Sequence, residues 1–466
     1  MRAAHQRLLG LAWPMILQSL GFTLTSFTDN LMVGQLGETT IAAMGNSMQL
    51  LFFLVLTYSM LSQGGGIVVA QYFGARQYVA LRESIASLLL VGVLVGAILG
   101  FGLHRFGGFF VSLITLDVIR ETSSGVPELA AVYLGIVGPL LIMQVPSFIS
   151  QSILQSLGDT RGPMQITLAG VVLNAIGNFI LIFGGAIPNV TEPLFTPLGL
   201  KGAAIATAFA WAFMAVLMLR RLLAHSAIRL SFRDLFRPVW HRLGKIVRLG
   251  YPLSLDGLLW QSATLFYVMM FNFAGTEAYA AFVITMTLRA FFIVPGVGIQ
   301  QALAIALGQA LGRNAFKRAR VLRREGLKLV LVVLPAIGLI IALLTPLILS
   351  LYDISDTTRH LVIVMVVSFF VFSASGAVTV SVPGILRAGG ETRAVLAITA
   401  AGFALVGAPT ALIATLVLDL GVWGVFAGFL ADEVAKSIIM LIVQRRDRWV
   451  RSLAEPAPAQ PVAETA

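Results

Sequence analysis

The chain has 466 residues, 58% hydrophobic and 11% charged, with a mean hydropathy of +0.91 and a formal net charge of +11. A soluble domain carries about 25% charged residues, so this composition excludes a water-soluble globular protein and points to a chain that crosses a bilayer many times. Cysteine is absent, which excludes disulfides, iron–sulfur clusters and thiolate metal sites.

A spanning helix needs about 20 predominantly apolar residues. Runs of that kind predict twelve helices, over 9–34, 41–71, 86–109, 129–155, 163–185, 199–219, 248–273, 279–311, 327–350, 361–386, 394–417 and 421–443. The first run is too long for a signal peptide and lacks a small-residue cleavage site, so it reads as a retained helix. Of the 32 Lys and Arg residues, four fall in or beside odd-numbered loops (Arg105, Arg120, Lys201, Arg359) and two well inside predicted helices (Arg289, Lys436). The remaining 26 lie at the amino terminus, in the even-numbered loops and in the tail, including Arg229, Arg233 and Arg237 in one long linker. Under the positive-inside rule this places both termini in the cytoplasm. The basic excess is then topology and contact with the lipid bilayer, not a nucleic-acid surface.

The expected organisation is all-α: an N-terminal six-helix bundle over 1–219, a basic cytoplasmic linker over 220–247, a C-terminal six-helix bundle over 248–445, and a cytoplasmic tail over 446–466. The tail ends in AEPAPAQPVAETA, a composition expected to be disordered. The two halves repeat. Pro14 and Pro252 lie 238 residues apart, and the same offset relates Gly37 to Gly275, Ala42-Ala43 to Ala280-Ala281, and Gln71-x-x-Gly74 to Gln309-x-x-Gly312. ILQSLGDTR at 153–161 matches ILRAGGETR at 385–393 with an offset of 232. Each repeat holds an even number of spans, so both enter the membrane in the same direction. That implies a pseudo-twofold axis along the membrane normal and a site between the halves near mid-depth.

Asp29 is the only ionisable residue between Leu8 and Gly34. An acid at the centre of a spanning helix costs roughly 2.5–3.5 kcal/mol, so its presence calls for a reason. Gln18, Phe22, Thr25 and Asp29 recur at helical spacing on one face of helix 1, and Thr167, Gly170, Asn174 and Asn178 do so on helix 5. A carboxylate facing two amides can hold a proton or a hard cation that prefers oxygen ligands. The competing reading is a structural anchor, Asp29 paired with an amide across a helix interface. In the second half Asp29 maps to Tyr267 and Gln18 to Asp256. Asp256, Trp260 and Tyr267 would offer an acid and two aromatics to a lipophilic cation; the alternative for Asp256 is a salt bridge to Arg289 or a solvated position close to the cytoplasmic end. Glu433 and Lys436 are expected to pair on helix 12. Gly64-Gly65-Gly66 reads as close packing or a helix break, since a phosphate loop needs a Lys and a soluble βα context. The five histidines (His5, His104, His225, His241, His360) fall in or beside predicted loops, so a metal site other than Na+ at Asp29, Asn174 and Asn178 has no ligands to draw on.

From about Leu8 to Trp449 the sequence resembles the multidrug and toxic compound extrusion (MATE) transporters, NorM- or DinF-like members of a wider exporter superfamily. The resemblance rests on Pro14, Asp29 and Gly34-Gln-Leu-Gly37 in helix 1, Gly158-Asp159-Thr160-Arg161 and Gly390-Glu391-Thr392-Arg393 after helices 4 and 10, Leu288-Arg289, Pro295 and Gln309-Ala-Leu-Gly312 in helix 8, and Glu433, Lys436 and Arg446-Asp-Arg-Trp449 at the end. It implies that Asp29, Asn174 and Asn178 correspond to the family's coupling positions on helices 1 and 5, and that Asp256 stands where many relatives have Glu. Some relatives carry Asp where this chain has Asn178, which leaves H+ and Na+ both open as coupling ion. The expectation is an antiporter of the bacterial inner membrane, functional as a monomer and without a cofactor, exporting cationic or amphipathic organic compounds. Thr25 would assist coupling at Asp29, while Asp256, Trp260, Tyr267, Gln18 and Arg289 would contact substrate. The alternative from the same superfamily is a flippase for a lipid-linked saccharide; it would favour several Arg residues in the cavity, and the sequence offers Arg289 alone inside a predicted helix. An integral-membrane enzyme would need a nucleophile, base or metal cluster at one depth, which the sequence does not display.

Overall fold

The computed structural model describes residues 2–115, 125–185, 193–228, 230, 234, 238–352 and 354–454. Arg120, Arg229, Arg233, Arg237 and the tail from 455 lie outside them. The described residues form twelve spans in chain order: α1 (Arg2–Gly34), α2 (Glu38–Gly74), α3 (Tyr78–Ile114), α4 (Val126–Leu157), α5 (Arg161–Phe183), α6 (Gly199–Leu223), α7 (Trp240–Phe273), α8 (Thr276–Gly312), α9 (Phe316–Leu349), α10 (Asp356–Val371 and Ser373–Ala388, bent by 59°), α11 (Thr392–Val417) and α12 (Gly421–Arg445). Nine satisfy a length and apolarity criterion for crossing a membrane, and the bent pair makes a tenth. The other two, α7 and α12, carry charge within the span: Asp256 on one, Asp432, Glu433 and Lys436 on the other.

The helices follow from long apolar runs whose backbone groups must bond internally in lipid. Several spans carry an internal proline, which removes an amide donor and crowds the preceding turn: Pro14 in α1, Pro146 in α4, Pro252 in α7, Pro295 in α8 and Pro383 in α10. In α11 two π-helical stretches, Gly402–Gly407 and Ile413–Val417, flank a short α-helical turn.

The internal repeat extends to backbone conformation. Gly37 and Gly275, 238 residues apart, both take positive φ (106° and 124°) before α2 and α8. Arg76 and Asn314 share that offset and adopt 59° and 56°, left-handed values that non-glycine residues seldom visit. Gly158 and Gly390, related by 232, follow α4 and α10 with φ of 100° and 79°.

Spans α1 to α6 make one bundle and α7 to α12 the other, joined where α1 and α2 run along α7 and α8. Each bundle has a core at either end: Leu81, Leu88 and Leu154, then Tyr133 and Ile182, in the first; Leu303, Ile385 and Trp449, then Phe271 and Phe426, in the second. Because lipid tails are as apolar as leucine, small residues rather than oily ones set how closely helices approach. The triple glycine shows this. Spanned by an unbroken α2, Gly64 lies on α7 at Ile246 and Gly250, Gly65 on Leu88 of α3, and Gly66 on Ser152 and Ser156 of α4.

Two expected boundaries move. The linker anticipated over 220–247 is shorter, because α6 continues to Leu223 and α7 begins at Trp240. Residues 446–454, expected as the start of a disordered tail, are packed: the Trp449 side chain is fully buried with Nε1 donating to the Gln444 carbonyl at 3.0 Å, and Arg451 Nε donates to the Gly389 carbonyl at 3.0 Å.

Candidate functional site

Helices α1 and α5 run parallel, and their polar faces meet in register. Gln18 Nε2 donates to Thr167 Oγ1 at 2.8 Å, and three turns further Asn178 Nδ2 donates to Asp29 Oδ1 at 2.5 Å. Both contacts span the same sequence separation of 149 residues, as two in-phase helices require. Asn178 Nδ2 also reaches Asn174 Oδ1 at 3.3 Å, and Asn174 Nδ2 donates to Thr207 Oγ1 of α6 at 3.3 Å. Asp29, Asn174 and Asn178 are all buried, so the carboxylate sits at the head of an amide and hydroxyl chain.

Asp29 and Asn174 open onto a cavity of about 560 Å³ inside the first bundle, whose wall also includes the polar Thr25 and Thr207 and the apolar Phe22, Phe148 and Trp211. Thr25 spends its hydroxyl hydrogen on the Gly21 carbonyl at 3.1 Å, which leaves its oxygen as an acceptor toward the cavity. The Asn178 Oδ1 atom is buried without a hydrogen-bond partner. Rotating that amide by 180° exchanges donor and acceptor. The Asp29–Asn178 pair therefore fits a carboxylate that accepts or a carboxylic acid that donates, and its oxygens would equally suit a hard cation. Among the described residues no group of three or more His, Asp or Glu side chains could hold another metal.

A second cavity, about 330 Å³, lies between the bundles and is rich in amides: Gln63, Gln151, Gln155, Gln300 and Gln301 line it, with Arg387 as its one charged wall residue. Here the halves correspond and differ. In the first, Gln155 of α4 donates to Gln18 Oε1 of α1 at 2.8 Å. In the second, Arg387 of α10 donates to Asp256 Oδ2 of α7 at 3.1 Å. The repeat offsets carry Gln18 to Asp256 and Gln155 to Arg387, so one brace is built twice, neutral once and charged once.

The second-half expectations need correction. Asp256 pairs with Arg387, not Arg289, because Arg387 lies inside α10 rather than in the loop beyond it. Trp260 is half exposed, and Tyr267 is buried among Phe403 and Phe429 with its hydroxyl on the Gly428 carbonyl at 3.4 Å. Neither joins Asp256 at a cavity wall. Arg289 pairs with Glu433 at 2.9 Å and lies over the rings of Phe369 and Phe429, while Thr379 donates to Glu433 at 2.9 Å. Lys436 takes Asp432 instead, one helical turn away at 2.6 Å. The expected Glu433–Lys436 pair is thus replaced by two pairs, because Glu433 points toward α8. Sequence reasoning missed Thr207, Gln155 and Arg387. The last two were recoverable from the 232-residue offset once Gln18 had been matched to Asp256.

The MatE family model matches two stretches, 14–180 and 252–413, which begin at the repeat-related Pro14 and Pro252. The chain is 23% identical over 450 residues to the "Uncharacterized transporter YisQ" of Bacillus subtilis, covering 95% of each chain. It is 28% identical over 446 residues to the "Probable multidrug resistance protein NorM" of Bradyrhizobium diazoefficiens, covering 90% of this chain and 89% of that one. Among solved structures, a MATE crystal structure in the bent conformation superposes with a TM-score of 0.85 at 20% identity, over 96% of this chain and 95% of the other.

Proposed function

The chain belongs to the MatE family of multidrug efflux transporters, and from that premise we propose that it is an antiporter in which Asp29 binds the coupling cation, H+ or Na+, and substrate leaves by alternating access. One observation carries the reading: a buried carboxylate within 2.5 Å of an amide, at the wall of a cavity and with no basic partner among the described residues. A structural anchor would account for the Asn178 bond but not for a carboxylate that also lines a cavity. Loading and unloading Asp29 changes the charge of the first bundle's cavity, and a ligand shifts a two-state equilibrium only by its differential affinity for the states. One elementary charge crossing the membrane supplies about 2.3 kcal/mol per 100 mV, enough to sustain a ratio of about 40-fold for an uncharged substrate.

In this proposal the substrates are cationic or amphipathic organic compounds. The protein works as a monomer in the bacterial inner membrane, with both termini and the basic loops in the cytoplasm. The apolar Phe22, Phe148 and Trp211 in the same cavity wall as Asp29 support the substrate class. Reconstitution with pH and sodium gradients imposed separately tests the reading: one gradient drives uptake by wild type, and Asp29→Asn, folded and inserted, shows none. Gradient-driven transport in Asp29→Asn at the wild-type level would refute it. A second reading, translocation of a lipid-linked saccharide, draws on Arg387 in the inter-bundle cavity, a guanidinium suited to a diphosphate. Turnover of lipid-linked precursors in a deletion strain separates the two.

A further inference from the structure

The repeated Gln-x-x-Gly motif at the ends of α2 and α8 takes no part in the coupling site, yet its side chains are among the most buried polar groups of the protein, Gln71 at 0% and Gln309 at 4% exposure. We infer that Gln71 and Gln309 form a reciprocal latch that shuts the basic end of the cleft between the bundles, and that both must release for that end to open. Each amide crosses to the other bundle. Gln71 Nε2 donates to the Ala388 carbonyl of α10 at 2.6 Å, and Gln309 Nε2 donates to the Ser156 carbonyl of α4 at 2.8 Å. The repeat offsets that carry Gln71 to Gln309 also carry Ser156 to Ala388, so these are one interaction made twice about the pseudo-twofold axis.

The glycines explain the rest of the motif. A methyl group on Gly74 would strike the Gln309 carbonyl, and one on Gly312 would strike that of Gln71, so each glycine admits the other motif's backbone. The remaining amide oxygens are taken by the chain termini. Arg7 Nη2 donates to Gln309 Oε1 at 2.7 Å, and the Leu453 backbone N–H donates to Gln71 Oε1 at 2.5 Å. Lys245, the repeat counterpart of Arg7, holds the Leu453 carbonyl. The segment following α12 is thereby tied to the first bundle across the cleft. Ala70, Ser156, Gly308 and Ala388, next to or within the latch, form the floor of the inter-bundle cavity, so opening the latch connects that cavity to the basic side.

The inference rests on the proposed rocking of two bundles, but its first test needs no transported substrate. Because the chain lacks cysteine, a single Gln63→Cys on the cavity wall reports access to a membrane-impermeant maleimide applied to inside-out vesicles. In a Gln71→Leu/Gln309→Leu background the labelling rate rises about tenfold, as loss of two buried amide bonds in one state only requires. An unchanged rate in that background overturns the latch. Should the double variant fail to insert, Ala70→Cys/Gly308→Cys decides, since a Cβ at Gly308 lies 3.0 Å from that of Ala70, within about half an ångström of disulfide spacing. Oxidised, this pair stops export, and reduction restores it; export that continues through the cross-linked protein overturns the inference.

Discussion

Replacing the charged brace between α7 and α10 by a copy of the neutral one between α1 and α4 tests whether the two halves share a design. Asp256→Gln alone leaves Arg387 in the wall of the inter-bundle cavity without its anion. The side chains are 16% and 21% exposed, so the pair is largely shielded from solvent. It rests on a single bond of 3.1 Å, and Asp256 Oδ1 and Arg387 Nε have no partner of their own. Breaking a buried ion pair from one side costs about 3–5 kcal/mol, and a pair held by one bond belongs at the lower end, about 3 kcal/mol. The double variant Asp256→Gln/Arg387→Gln reproduces the Gln18–Gln155 contact, and an interhelical amide bond contributes roughly 0.6–2 kcal/mol. It removes two buried charges together, so it should return to within about 1 kcal/mol of wild type. Equilibrium unfolding of the purified protein in lipid micelles should find the double variant about 2 kcal/mol more stable than Asp256→Gln alone. A single variant as stable as wild type, or a double variant no better than the single, would refute the reasoning.

Asn178→Leu removes the donor to Asp29 and to Asn174; resistance to exported compounds should fall to the level of a deletion strain while the amount of protein in the membrane is retained, and undiminished resistance would contradict the assignment. Gly250→Val drives a side chain into the Met60 carbonyl of α2. Overpacking of this kind costs about 1–3 kcal/mol, measurable as a lower unfolding temperature. His225, beyond the end of α6, is held below the ordinary histidine range chiefly by burial and accepts the Ala227 N–H on Nδ1 at 3.3 Å. The unfolded chain therefore binds the proton more readily, and the stability of this turn is present above pH 6.5 and lost as the pH falls below it. His225→Gln removes that dependence, read as hydrogen exchange of the turn at about pH 5 against about pH 8.

Much of the fold was legible because the membrane imposes it. Apolar run length gives the spans, and an even number per repeat gives their direction. The α1–α5 face was legible for the same reason: Gln18, Thr25 and Asp29 share a side of one helix, as Thr167, Asn174 and Asn178 share a side of another. Helical spacing says which residues share a face but not which neighbour that face meets. That is why spacing alone does not reveal Arg387 as the partner of Asp256, and why it suggests Lys436 for Glu433 where the partner is Arg289. The aromatic face of α7 failed for a related reason: Trp260 and Tyr267 share a side of the helix, but two turns apart they meet different surroundings, Trp260 half exposed and Tyr267 in the core of the second bundle. The packing of residues 446–454 left little trace in hydropathy, because it depends on Trp449 and on backbone bonds to Gly389 and Gln71.

The central claim is that substrate and coupling cation exchange through the Asp29 carboxylate. Ion release on substrate binding tests it most directly, measured on purified protein in weakly buffered solution with proton and sodium electrodes. The account predicts that adding substrate to wild type releases one kind of cation in proportion to the protein and that Asp29→Asn releases none. Equal release from both proteins would place the exchange elsewhere and contradict the account.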